Sequence, residues 1–233
     1  MGYIDTAQAH AIATFKSMHV EPLAKRALEA VRDGSITVVP ERFAHEYAHW
    51  MENIHDWCIS RQRTWGVPIP AVYCTSCNEA VLTPALAAKT AAVFEQYGAD
   101  AWYERDLGEF LPDGLECPSC KKNEFEREQD TLDVWFDSGS THSIVLENRN
   151  ALHWPASLYL EGSDQHRGWF HSSLLEACGT RDRAPFESVL THGFVMAEDG
   201  RKMSKSLGNV VVPQEVTDQY GAETLRLWVV ASD

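Results

Sequence analysis

Apolar residues recur at helical spacing in several parts of the chain. After Pro22, the side chains of Leu23, Ala27, Ala30 and Val31 would share one face, which predicts a helix that Asp33-Gly34 ends. Proline suits the first turn of a helix because it has no N–H to lose. Further helices are predicted at 43–54, 85–97, 168–178, 215–220 and 222–230.

Short β-branched or apolar runs lie between these helices and predict strands. The runs are at 36–39, 58–60, 158–160 and 189–191. Because strands alternate with helices, the expected fold is α/β with a parallel sheet. Residues 1–21 show no clear periodicity, and no element is predicted for them.

Composition narrows the class of protein. Hydrophobic residues make up 44% and charged residues 23% of the 233 residues, as in ordinary globular proteins. No apolar run is long enough to span a membrane, and no secretion signal is visible, so a cytoplasmic location without membrane contact is expected. The formal net charge of -14 argues against a broad nucleic-acid surface.

Four of the six cysteines form two Cys-x-x-Cys pairs. Two such pairs can supply the four thiolates of a tetrahedral zinc site, and a closed site of this kind is structural. Unmetallated cysteines or one redox pair remain alternatives. The single cysteines Cys58 and Cys178 are expected to be buried, inert thiols. The predicted zinc ligands are Cys74, Cys77, Cys117 and Cys120.

A glycine-flanked basic turn is the first candidate binding site for phosphate groups. Small hydroxyl residues let the backbone approach a polyphosphate, and lysine ammonium groups can neutralise charge on a leaving pyrophosphate. An ordinary solvated turn is the alternative. The turn reads Lys202-Met203-Ser204-Lys205-Ser206, between Gly200 and Gly208.

A second polar cluster follows the strand predicted at 158–160 and leads into a helix. Ligands of α/β proteins bind at such strand ends, and a helix N-terminus offers free N–H groups. The cluster supplies a carboxylate, an amide and a flat apolar wall. Its residues are Glu161, Gly162, Asp164, Gln165 and Trp169.

Both clusters resemble motifs of class I aminoacyl-tRNA synthetases, and the second is most similar to the isoleucyl-tRNA synthetases. The stretches at 57–66, 133–139 and 191–194 also look isoleucyl-type, whereas 22–53 looks more like the valyl enzymes. The resemblance implies the second half of a Rossmann-type nucleotide-binding catalytic domain with a small zinc-binding insertion. Its expected divisions are a junction segment at 1–55, the catalytic core at 56–72 and 131–233, and the zinc module at 73–130.

The resemblance also implies an activity, which is ATP-dependent attachment of isoleucine to tRNA(Ile). ATP with Mg²⁺ would be bound by residues 202–206, with Lys202 and Lys205 catalytic. The aminoacyl-adenylate would be held by Glu161, Gly162, Asp164 and Gln165, with Trp169 beside the isoleucine side chain. Zinc would be structural.

The chain also departs from the family pattern. No His-x-Gly-His sequence is present, and neither an editing nor an anticodon-binding domain is recognised. We therefore expect an inactive partial catalytic core whose partner would be the missing half of the same enzyme. Two alternatives stay open: a valine–tRNA ligase fragment, or a non-catalytic remnant that binds zinc or nucleotide.

Overall fold

Helix α1, Val20–Arg32, forms where the apolar spacing predicts it, with Leu23, Ala27 and Val31 buried along one face. Strand β1, Thr37–Val39, and helix α2, Arg42–Glu52, follow. The computed structural model describes residues 20–55 and 57–231 of the chain. Residues 1–19, most of the segment without a predicted element, lie outside that part.

The remaining elements follow in chain order. Strands are β2 Ser60–Arg61, β3 Val72–Cys74, β4 Ala80–Val81, β5 Phe125–Arg127, β6 Thr131–Leu132, β7 Tyr159–Gly162 and β8 Ser188–His192. Helices are α3 Pro84–Tyr97, α4 Ala101–Glu104, α5 Val134–Gly139, α6 Trp169–Arg181, α7 Pro213–Tyr220 and α8 Ala222–Ala231. Shorter turns of 3-10 helix lie at Leu107–Glu109 and Ser163–Arg167, and a π-helical turn lies at His142–Glu147.

A three-stranded sheet of order β1-β8-β7 forms the centre of the α/β part. Strands β1 and β8 are parallel, with Val38 opposite Val189, and a parallel bridge joins Ala156 to Phe186 just before β7 and β8. Helices α1, α2 and α6 contribute apolar side chains to the core around this sheet, which includes Tyr47 and Phe170. The expected parallel α/β arrangement is confirmed.

The cysteine-bearing segment has its own sheet and core. Strand β3 pairs antiparallel with β4 on one side and with β5 on the other. Helix α3 begins at a proline, and the hydroxyl of its N-cap residue Thr83 accepts from the Leu86 N–H at 3.1 Å. A separate apolar cluster includes Trp102 and Phe110, both fully buried. These 55 or so residues can therefore bury a small core of their own.

Contacts divide the chain into two compact units. The first contains residues 20–55, 57–159 and 164–190, and it holds all three apolar clusters found among the described residues. The second contains residues 160–163 and 191–231, and its helices α7 and α8 have no buried side chain. None of the helices formed by the described residues is long and apolar enough to cross a membrane.

One expectation about the cysteines is wrong. Cys178 is buried, as predicted, but Cys58 is exposed. Cys58 lies just before the two-residue strand β2, where the thiol contacts the Ser60 hydroxyl at 3.4 Å. Its neighbour Ile59 is buried while Cys58 is exposed, so the apolar neighbours of Cys58 in sequence did not imply burial of the thiol.

Candidate active site

The four paired cysteines converge although 40 residues or more separate the two pairs. The Cys74 and Cys120 sulfurs lie 3.5 Å apart, as do those of Cys77 and Cys117, and all four sulfurs lie within 4.8 Å of one another. Each pair is a tight turn, in which the Asn78 N–H bonds to the Cys74 carbonyl and the Lys121 N–H to the Cys117 carbonyl. Strands β3 and β5 bring the two turns together.

This spacing fits a tetrahedral metal. Four thiolates at about 2.3 Å from zinc lie about 3.8 Å apart, close to the distances between these sulfurs. All four positions would be occupied by protein, so such a site has no place for substrate. The four sulfurs could therefore hold one metal ion.

The lysine loop, residues 196–209, consists of a hairpin followed by two tight turns. Met196 and Lys202 form an antiparallel bridge, and Gly200 turns the chain with a φ of 73°. The side chain of Asn209 closes the next part, because its Oδ1 accepts from the Ser204 N–H at 2.9 Å. These contacts shape the backbone of the turn, while the side chains of Lys202 and Lys205 are exposed.

Charge on the lysine loop is concentrated on the two lysines. Arg201 donates to Asp199 at 2.7 Å, and this pairing lowers the pKa of Asp199. The Lys202 ammonium lies 3.8 Å from the centre of the Phe194 ring, a cation–π contact. Among the described residues, no hydrogen bond or ion pair engages the Lys205 side chain. The uncompensated positive charge is thus that of Lys202 and Lys205.

The predicted adenylate-binding residues fall in both units. Glu161, exposed, and Gly162, buried, end β7 in the second unit. In the first unit, Asp164 and Gln165 lie in the 3-10 turn before α6. The Gln165 amide donates to the Asp164 carboxylate at 3.3 Å, while its Oε1 accepts from the Trp169 N–H at 3.0 Å. Gln165 therefore caps the helix that carries Trp169.

Trp169 is held rigidly on several sides. Its ring stacks on Tyr159 with centres 4.1 Å apart and planes 7° apart. Its Nε1 donates to the Ser138 carbonyl at 2.9 Å and to the Thr141 hydroxyl at 3.2 Å. A half-buried ring fixed in this way is a suitable wall for an apolar side chain.

Two segments that are distant in sequence meet at Asp133. Strand β2 pairs antiparallel with β6, which places Ser60 opposite Leu132. The buried Asp133 carboxylate accepts from Trp57 Nε1 at 3.0 Å, pairs with Arg61 and caps α5 through the Trp135 N–H at 3.0 Å. These bonds fix α5, which carries Trp135.

A cavity of about 550 Å³ lies beside the start of α6, within the first unit. Three tryptophans, Trp50, Trp57 and Trp135, contribute to its walls, and the Arg167 guanidinium lies 4.9 Å from the centre of the Trp50 ring. Burial, with the nearby Arg167 charge, lowers the pKa of His171 to about 4. His171 therefore faces the cavity as a neutral ring at pH 7.

Sequence reasoning did not identify Asp133, Trp135 or His171 as site residues. Trp135 packs on Gly168, where a Cβ would lie 3.1 Å from its ring. The segment Asp133-Val134-Trp135-Phe136 has a family resemblance, but its sequence alone assigns no binding role to these residues. The contacts join residues more than 30 positions apart, which a local pattern does not predict.

Comparison with known proteins places the chain in a family. Residues 12–233 match the profile of the family described as tRNA synthetases class I (I, L, M and V). The chain belongs to the class I tRNA synthetases.

Similar relatives of this class I synthetase chain include two named isoleucine–tRNA ligase. That of Geobacter sulfurreducens is 56% identical over 220 residues, or 94% of this chain and 24% of the relative. That of Syntrophotalea carbinolica is 53% identical over 219 residues, or 94% of this chain and 23% of the relative. The chain thus spans about a quarter of the length of these curated relatives.

A solved structure agrees on the fold of the class I synthetase chain. It is the ternary complex of the Agrobacterium radiobacter K84 agnB2 LeuRS with tRNA and LeuAMS. It matches with a TM-score of 0.50 and 24% identity, over 78% of this chain and 26% of that one. The Rossmann-like catalytic-domain fold of class I synthetases, expected from the motifs, is therefore present.

Proposed function

We propose that the chain is part of the catalytic core of an isoleucine–tRNA ligase. The observation that carries the proposal is the lysine loop, in which Asp199 compensates Arg201 and leaves Lys202 and Lys205 as the unpaired cations. The names of relatives that are at least half identical support isoleucine over valine. Residues 1–55, 56–72 with 131–233, and 73–130 would be its junction, core and zinc module.

The reaction has two steps, and both place charge where the proposed residues lie. In the first, a carboxylate oxygen of isoleucine attacks the α-phosphorus of ATP, and the bond to the leaving pyrophosphate breaks. Lys202 and Lys205, with Mg²⁺, would neutralise the charge on that pyrophosphate. Met203, Ser204 and Ser206 would complete the ATP-binding turn.

In the second step, a terminal hydroxyl of tRNA attacks the isoleucyl carbonyl and AMP leaves. Glu161 and Gly162 would bind the adenylate together with Asp164 and Gln165, and Trp169 would flank the isoleucine side chain. These groups position the reactants, and positioning with charge stabilisation can supply most of the rate enhancement. The partners would be transfer RNA and a polypeptide that corresponds to the remaining three quarters of the longer relatives.

The experiment is calorimetric titration of the chain with non-hydrolysable isoleucyl- and valyl-adenylate analogues and with ATP–Mg²⁺. We expect the isoleucyl analogue to bind more tightly by about 10-fold or more, because one methylene in an apolar pocket contributes about 1–3 kcal/mol. Lys202→Ala/Lys205→Ala should weaken ATP–Mg²⁺ binding at least 10-fold. The charge-matched control, Lys25→Ala/Lys122→Ala, removes two exposed lysines elsewhere and should bind normally.

Three results would count against the proposal. Equal affinity for both analogues removes the isoleucine assignment, and tighter valyl binding replaces it with valine. Equal ATP affinity in the two double variants removes the role of the lysine loop. Because the chain has no His-x-Gly-His sequence, we expect little isoleucine-dependent pyrophosphate exchange from it alone.

We further propose that Cys74, Cys77, Cys117 and Cys120 bind one structural Zn²⁺. Convergence of four sulfurs at near-tetrahedral spacing supports this site. Protein purified without chelator should contain about one zinc per chain by mass spectrometry. Cys117→Ser should lose the metal, whereas Cys58→Ser, which alters an exposed thiol, should retain it. Equal zinc content in both variants would contradict the assignment.

A further inference from the structure

Glu176 is a buried carboxyl group that none of the proposed reaction steps uses. It lies in the middle of α6 and is only 4% exposed. Its Oε1 is buried and has no hydrogen-bond partner among the described residues. An ionised carboxylate in such a position is costly, so a buried glutamate of this kind is retained as a neutral acid.

The carboxyl group of Glu176 lies directly on the backbone of α5. A Cβ added to Gly139 would clash with Oε1 and would lie 2.8 Å from Cδ and 3.0 Å from the Cβ of Ser172. Gly139 therefore allows α5 to approach α6 closely, and the Glu176 carboxyl fills the space that a side chain at 139 would occupy.

This contact lies next to the groups that hold Trp169. Ser138, which accepts from the Trp169 indole, immediately precedes Gly139, and Thr141, the second acceptor, follows two residues later. Trp169 itself begins α6, so the indole bridges the same two helices that Glu176 and Gly139 press together. A change in the spacing of α5 and α6 would lengthen the indole hydrogen bonds.

We propose that Glu176, as a neutral acid packed on Gly139, is a positioning residue that sets the ring of Trp169. It acts through α5 and touches neither substrate nor reacting atoms. The inference rests on the proposed function in one respect: that function is what gives Trp169 a ligand to contact. The packing role itself is independent of any ligand.

The charges around Glu176 favour its neutral form. Burial, and then the nearby Asp137 of α5, raise the pKa of Glu176 well above its usual range. Asp137 has its own pKa raised to about 7 by burial and by Asp133. On β7, the pKa of Tyr159 is raised to about 12, mainly by burial and in part by Glu176. Of these neighbours, an ionised Asp137 makes ionisation of Glu176 less favourable.

The first test reads the Trp169 indole N–H directly by NMR, with its resonance assigned from Trp169→Phe. Glu176→Gln, a neutral isostere, should keep the wild-type resonance at pH 6. Glu176→Ala should shift it and raise its hydrogen-exchange rate at least 10-fold. An unmoved resonance in Glu176→Ala, or a shift in Glu176→Gln as large as that in Glu176→Ala, would overturn the proposal.

A second pair of variants tests the contact between Glu176 and Gly139 if Glu176→Ala folds poorly. Gly139→Ala alone should clash with the carboxyl and shift the indole resonance. Gly139→Ala/Glu176→Ala should restore much of it, because the new methyl group enters the space that the carboxyl leaves. Effects that simply add in the double variant would contradict the proposed contact.

A separate measurement, the affinity for the isoleucyl-adenylate analogue, tests whether this packing affects ligand binding. Glu176→Gln should bind the isoleucyl-adenylate analogue within about twofold of wild type, and Glu176→Ala at least fivefold more weakly. If no variant, wild type included, binds the analogue, the proposed function fails while the indole result still decides the role of Glu176. If the indole moves in Glu176→Ala without loss of affinity, the packing exists but does not set the ligand wall.

Discussion

At the scale of single residues, Asp133 shows how one carboxylate can organise a site. It accepts from Trp57, pairs with Arg61 and caps α5, while being 5% exposed. Three donors compensate the cost of burying its charge. Loss of the carboxylate would remove this acceptor from the Trp57 indole, the Arg61 guanidinium and the Trp135 N–H.

We expect Asp133→Ala to lower the free energy of unfolding by about 2–4 kcal/mol, the sum of a lost helix cap and a broken ion pair that is buried on the Asp133 side. Urea denaturation followed by circular dichroism measures this. Asp113→Ala, at an exposed position, is the matched control and should change the free energy by less than about 0.5 kcal/mol. Equal effects in the two variants would mean that Asp133 does not stabilise the junction.

At the scale of secondary-structure elements, periodicity predicted the long helices well. Helices α1, α3 and α6 and strands β1 and β8 lie within a few residues of their predicted positions. Two-residue strands such as β4 and β6, and the π-helical turn at His142–Glu147, were not predicted. Their existence depends on pairing and packing between distant segments, for which a single sequence carries no local signal.

The same distinction applies to the candidate site. The cysteine pairs and the lysine loop were visible because their chemistry is confined to a few consecutive residues. The environment of Asp133 and the contact of Glu176 with Gly139 were not visible, since each joins segments separated by tens of residues. Local motifs identified ligand-binding chemistry, whereas the residues that support it required the fold.

Helix α3 allows a prediction at this scale. Thr83→Ala should remove the hydrogen bond to the Leu86 N–H and destabilise the module by about 1 kcal/mol. Thr83→Ser retains the hydroxyl and should be close to wild type. Native-state hydrogen exchange at the Leu86 amide measures the difference, and equal protection in both variants would exclude a capping role.

At the scale of the whole molecule, buried titratable groups of opposite kind govern the pH dependence of stability. Burial lowers the pKa of His166 and of His171 to about 4, so folding releases protons between pH 4 and 6.5. The raised pKa values of Asp137 and Glu176 mean that folding takes up protons from about pH 4 to pH 7 and above. In the lower range the two effects oppose each other.

We therefore expect the melting temperature to change little between pH 4.5 and 6.5. Above pH 7 Asp137 is ionised in both the folded and the unfolded state, so a decline there comes from Glu176. The sign follows because raised carboxyl pKa values stabilise the folded state at low pH and lose that effect as pH rises. Calorimetric scans from pH 4.5 to 9 test this, and Glu176→Gln should reduce the alkaline decline. A melting temperature that climbs steadily through pH 8 would show that these groups do not dominate.

The helices of the second unit bury no side chain, and this has a thermodynamic consequence for the lysine loop that precedes them. Residues with so few packed neighbours lose configurational freedom when a ligand immobilises them. Capture of a triphosphate by Lys202 and Lys205 should therefore be driven by enthalpy and opposed by a large entropy loss. A favourable binding entropy for ATP–Mg²⁺ would indicate a loop that is already rigid before the nucleotide arrives.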